Sequence, residues 1–110
     1  MKDLKDIRKE INEIDDKMRE LFEERMRAVR EVAEYKKANA LPILDAERER
    51  ENIARGAAML EDEQLRPYYV SFLESNMAIS RSYQKMLTEE GKRTEDDLAA
   101  SCDEDKAAQR

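Results

Sequence analysis

The sequence predicts an all-α fold of three helices, one long, one short and one of medium length, with a second chain needed to cover the first. Two observations carry that reading. Apolar residues at Leu4, Ile7, Ile11, Ile14, Met18 and Leu21 recur in alternating steps of three and four, a heptad seam that continues through Ala28, Val29 and Val32. No stretch gives a strand signal, and there is no internal repeat. Charged residues make up 44% of the 110 and hydrophobic ones 40%, with two Gly and two Pro. Because the apolar residues are periodic, this is the profile of long helices with charged outer faces and not of a disordered chain.

The first helix is expected from about Asp3 to Asn39, a rod roughly 55 Å long. A chain of this size cannot cover such a rod alone, so an intertwined helical dimer follows. The helix should end before Pro42, because the residue preceding proline is pushed out of helical geometry. Asp45 is a good N-cap for a second helix, with Glu47 and Glu49 in the first turn where the dipole favours negative charge. That helix is expected to run to about Asp62, with Ile53, Ala57 and Leu60 inward. Gly56 in its interior costs about 1 kcal/mol relative to Ala, so the helix must rely on packing. Glu63 to Arg66 reads as a turn, and Pro67 suits the first position of a third helix reaching about Glu90. Tyr69, Phe72, Leu73, Met77, Tyr83 and Leu87 are available to its core face. Gly91 is the expected stop. The predicted organisation is one helical domain over residues 1–90 and a polar, acidic tail or linker over 91–110.

Several function classes drop out on composition. The formal net charge of −6 argues against a nucleic-acid partner. There is no His, and Cys102 is alone, so imidazole catalysis, a disulfide and a thiolate metal cluster all lack their residues. Cys102 sits in the polar tail and reads as a bystander. No N-terminal apolar run or membrane-length segment appears, and a soluble cytoplasmic protein is the expectation.

Some polar residues nonetheless fall on inward faces. Arg25 occupies the seam position after Leu21, where a hydrophobe is expected. Lys36 lies eleven residues on, close to three full turns, so the two cations share a face about 16 Å apart. On the third helix Ser80 and Gln84 lie one turn apart, in line with Leu73, Met77 and Leu87. A hydroxyl and an amide inside an apolar stripe need partners. On the second helix Glu49 lines up with Ile53 and Leu60, with Arg48 beside it. Arg8 lies seventeen residues before Arg25, about 26 Å along the same rod, so only the Arg8 of a second chain could join it around a small ligand. Taken singly, each residue reads as solvated: Arg and Lys snorkel outward, Ser80 can bond back to its own helix, and Gln84 can face water. Together they point to a buried polar site.

The run Ile7-Arg8-Lys9-Glu10-Ile11, then Ile14-Asp15, Glu24-Arg25 and Tyr35-Lys36-Lys37, followed by Pro42, Asp45, Arg48-Glu49 and the pair Ser80 and Gln84, resembles the all-helical chorismate mutases. The resemblance covers about residues 4–88 and rests on the order and spacing of motifs that are individually weak. It implies a domain-swapped homodimer converting chorismate to prephenate in phenylalanine and tyrosine biosynthesis, either as a stand-alone enzyme or as the mutase domain of a bifunctional mutase and prephenate dehydratase. By that resemblance Arg25, Ser80 and the partner subunit's Arg8 would clamp the substrate carboxylates. Lys36 and Gln84 would donate to the ether oxygen. Glu49 and the backbone near Asp45 would hold the ring hydroxyl, with Arg48 in the same wall. No cofactor or metal is implied, which suits a chain without His. Two other readings stay open. A helical dimerisation module would explain the seam but not the inward Ser80, Gln84 and Glu49, and a ligand-sensing relative could dispense with Lys36.

Overall fold

The computed structural model describes residues 1–90, the side chain of Glu90 excepted. Its elements are α1 (Leu4–Ala38), α2 (Ala46–Met59), a single 3-10 turn (Glu63–Leu65) and α3 (Arg66–Glu90). Among the described residues there is no strand, and no helix is long and apolar enough to cross a membrane. The tail expected after Gly91, Cys102 included, lies outside the described residues.

Helix α1 ends at Ala38, ahead of Pro42, for a reason the proline does not supply. Ala40 adopts a left-handed backbone, φ 53°. The Ala40 N–H then donates to the Lys37 carbonyl (3.4 Å) and the Leu41 N–H to the Lys36 carbonyl (2.8 Å). This is a Schellman closure, with alanine where glycine is usual. Helix α2 starts as expected, the Asp45 carboxylate accepting from the Arg48 N–H at 3.1 Å. It stops at Met59, three residues short of the expected Asp62. Asp62 instead accepts from the Gln64 N–H and opens the 3-10 turn. Arg66, one residue before the Pro67 expected there, begins α3. Its Nε donates 3.1 Å to the Ala57 carbonyl, a bond that serves the open end of α2.

Helix α3 is the central element, with α1 on one side and α2 on the other. Arg25 of α1 meets Ser80, and Ala33 with Lys37 borders the same hollow as Leu87 and Thr88, so α1 and α3 run in parallel. Glu49 of α2 meets Arg81 while Gly56 meets Leu73, so α2 and α3 run antiparallel. Gly56 lets them approach closely: a Cβ there would stand 2.9 Å from Leu73 Cδ1 and 3.4 Å from Tyr69 Cε2. The glycine that weakens the helix in the sequence thus leaves room for the close α2–α3 packing.

The core is small. Val29, Ala33, Ala57 and Met77 are its buried apolar residues, joined by the buried Ser80 and Gln84. All of residues 1–25 are exposed, and the seam from Leu4 to Leu21 lies open along its length.

Candidate active site

The corner between α1 and α2 and the middle of α3 enclose a cleft of about 180 Å³. Each wall follows from helical spacing. Arg25, Val29, Val32 and Lys36 repeat at steps of four, three and four along α1, and Met77, Ser80 and Gln84 at steps of three and four along α3, with Arg81 beside Ser80. The start of α2 adds Asp45, Arg48, Glu49 and Asn52, and Ile43 comes from the connector.

Two of the cations here, Arg25 and Lys36, have neutral partners. The Arg25 guanidinium donates through Nη1 to the Ser80 hydroxyl. That hydroxyl in turn donates to the Asn76 carbonyl at 2.8 Å. Ser80 therefore both bonds back to its own helix and presents a lone pair to Arg25. Lys36 Nζ donates to the Ile43 carbonyl at 2.7 Å. Gln84 is only 6% exposed, and its Oε1 is buried with no hydrogen-bond partner. A buried amide oxygen without a partner carries a desolvation cost of about 1–3 kcal/mol. The terminal torsion of glutamine is broadly two-fold, so half a turn presents Nε2–H in its place.

The two carboxylates of the cleft are already engaged. Asp45 caps α2, and Glu49 Oε1 is ion-paired with Arg81 Nη1. Arg25, Lys36, Arg48 and Arg81 make four cations against Asp45 and Glu49, an excess of two within a chain of net charge −6. The cleft is built to receive negative charge on a small polar molecule.

Of the residues singled out in the sequence, Arg25, Lys36, Asp45, Arg48, Glu49, Ser80 and Gln84 line this one cleft. Arg8 does not. It borders a shallow surface hollow with Leu4, Lys5 and Asn12 on the bare part of α1. A more apolar hollow of about 510 Å³, bordered by Met18, Leu21, Phe22 and Phe72, lies between that region and the cleft. Two polar lining residues are not among those the sequence singles out. Asn52 follows Glu49 by three residues, a spacing that does place both on one helix face. Arg81 stands next to Ser80, off the apolar line of α3, and nothing short of the tertiary packing pairs it with Glu49.

Compared with known protein families, the chain matches chorismate mutase type II over residues 7–85, more than two-thirds of its length. The chain belongs to the type II chorismate mutase family. Comparisons with curated proteins and with solved structures give no match. Within the match lie α1 from Ile7 onward, all of α2 and α3 up to Lys85, and so every residue of the cleft. The type II chorismate mutases are all-helical, as are the described residues here, and the activity the family indicates is chorismate rearrangement.

Proposed function

We propose that this chain rearranges chorismate to prephenate, on the route to phenylalanine and tyrosine, in a cleft that two copies complete. One observation carries the reading. Arg25 and Lys36 line the cleft with only neutral oxygens for partners, beside a buried Gln84 whose amide oxygen has none. The two cations suit an anionic ligand that accepts hydrogen bonds, and the Gln84 amide joins them as a donor once it is turned to present Nε2–H. Chorismate brings two carboxylates, an ether oxygen and a ring hydroxyl.

The reaction is unimolecular. A carbon–oxygen bond breaks as a carbon–carbon bond forms, and no atom enters or leaves, so no nucleophile, base or cofactor is required of the chain. Arg25 with Ser80, and the partner subunit's Arg8, would grip the two carboxylates. That grip selects the folded, diaxial-like conformer and lowers the entropic part of the barrier. Bond breaking runs ahead of bond making, so negative charge grows on the ether oxygen. The Lys36 ammonium and the Gln84 amide, aimed at that oxygen, favour the transition state over the ground state. Glu49 and the backbone at Asp45 would hold the ring hydroxyl, with Arg48 in the adjoining wall.

The dimer supplies the missing arginine. Two α1 helices paired antiparallel about a two-fold axis midway between Arg8 and Arg25, near Asp16 and Lys17, bring each Arg8 to the other chain's Arg25. The same pairing lays one open seam on the other, exchanging helices in the domain-swapped sense. Residues 1–90 form the mutase domain in this reading, and 91–110 a tail or linker.

The test follows chorismate absorbance with the wild-type chain, with Arg8→Ala, with Arg25→Ala, and with an exchanged equimolar mixture of the two. Prephenate formation by wild type, near-zero rates for each variant and recovery to about a quarter of the wild-type rate in the mixture are expected, since half the dimers then hold one intact site. An inert wild type that remains a folded helical dimer would leave a dimerisation or ligand-sensing role. Activity with no recovery after verified exchange would remove the shared site.

A further inference from the structure

We infer that Arg81 is a positioning residue that keeps the Glu49 carboxylate away from the cations needed for substrate. The inference rests on the chorismate mutase reading above, and it concerns a residue that reading leaves without a role.

The cleft poses an electrostatic problem. A site for a dianion needs free cations, yet Glu49 points a carboxylate into the same space as Arg25, Lys36 and Arg48. In a half-buried setting a bare carboxylate is attracted to any cation within a few ångströms, far more strongly than in water. Glu49 paired with Lys36 would occupy the donor meant for the ether oxygen. The structure shows a different pairing. Arg81, one residue past Ser80 on α3, reaches across the α2–α3 contact and takes Glu49 through Nη1–H to Oε1. Glu49 keeps 23% of its side-chain exposure and Arg81 36%, so the pair is partly sheltered from solvent screening.

The pairing has three consequences. Lys36 and Arg25 are left with neutral acceptors, Ile43 O and Ser80 Oγ, which a charged ligand oxygen displaces readily. Glu49 is fixed with Oε1 occupied, so Oε2 is the oxygen available to a ring hydroxyl. Lastly, the charge of Arg81 is spent on Glu49, so Arg81 itself does not clamp substrate. Gly56 sets the reach, since it permits the close α2–α3 approach across which the pair forms.

The experiment is a double-variant cycle on the full chain, read as kcat/KM for chorismate beside wild type. Turnover by wild type tests the enzyme reading by itself. Given that turnover, Arg81→Met is expected to lower kcat/KM about tenfold or more, the usual scale for uncoupling contacting charges. Glu49→Gln should lower it in the wild-type background but raise it several-fold in the Arg81→Met background, because it removes the carboxylate that has become a competitor. Arg81→Lys, which retains the charge, should stay within a few-fold of wild type. A packing role for Arg81 gives no such reversal of sign. Three results overturn the inference: Arg81→Met within twofold of wild type, Glu49→Gln deepening the Arg81→Met loss, or Arg81→Met losing its helical circular dichroism signal.

Discussion

Residues 4–25 and residues 26–38 belong to one helix and carry the same three-and-four spacing of apolar residues, yet only the second stretch is covered. Val29 and Ala33 are buried against α3, and Met26 and Lys36 are half-buried. Leu4, Ile11, Ile14, Met18 and Leu21 are 46–62% exposed. An apolar seam with no cover over some five turns is a surface shaped for another helix. The chemistry divides at the same place: the covered stretch and the residue at its border, Arg25, face the cleft, while Arg8 stands alone on the bare one. Periodicity reports that a helix face wants company and is silent on who supplies it.

The comparison can be broken most severely at the centre of the bare stretch. Ile14→Lys places a charge beside the proposed two-fold axis on both copies at once. Losing an isoleucine's burial costs about 1.5–3 kcal/mol per copy. Sedimentation should therefore show association weakened a hundredfold or more, with helicity and turnover falling together; an unchanged mass and helical content would mean the seam is not an interface. On the covered stretch, Lys36→Ala removes the donor proposed for the ether oxygen. By analogy with a lost oxyanion donor, kcat should fall by about 3–4 kcal/mol, a hundredfold or more, with the oligomer intact. Substantial turnover in that variant would sink the assignment of Lys36. The two variants together separate assembly from chemistry.

A milder change sharpens the account of the cleft. An amide at position 84 does not titrate, whereas Gln84→Glu places there a carboxyl with an ordinary pKa of about 4.3. Its ionised form repels charge growing on the ether oxygen, and only the protonated form donates. Turnover should drop about tenfold or more at neutral pH and climb as pH falls, a limb absent from the wild-type profile. Equal pH profiles for the two proteins would take Gln84 off the reacting oxygen. The smallest effect belongs to α2. Gly56→Ala gains about 1 kcal/mol of helix propensity and loses about 1–3 kcal/mol to the clash with Leu73. Thermal melts should show a Tm lower by no more than several degrees, and a higher Tm would mean that Leu73 gives way freely.

Much of this arrangement is legible in the sequence, for reasons that can be named. Three helices follow from period and punctuation, and Asp45 caps α2 as its residue type demands. The eleven-residue step from Arg25 to Lys36 is arithmetic on a rod, and both residues do border one cleft. Other features depend on information no local pattern holds. Nothing about Ala40 announces a left-handed residue, since glycine is the usual sign of a Schellman closure. Arg81 looks like one more surface charge until α3 is packed against α2 and Glu49 stands opposite. Gly56 reads as a local weakness because its purpose, closeness to Leu73 and Tyr69, belongs to the contact between helices. Arg8 is visible as a residue out of reach, and what would bring it within reach is a second chain.

Lys36 is tied twice to the turn that follows it, its carbonyl accepting from the Leu41 N–H and its ammonium donating to the Ile43 carbonyl. Any ligand oxygen that captures the ammonium must first dislodge Ile43, so occupancy is an exchange of one acceptor for another. A neutral oxygen gains little from such an exchange, and one carrying negative charge gains more, which makes the displaced carbonyl a threshold against uncharged look-alikes. The same exchange releases one of the two bonds that tie the 39–45 corner to Lys36. Amide hydrogen exchange at that corner therefore offers a gauge of occupancy that needs no turnover.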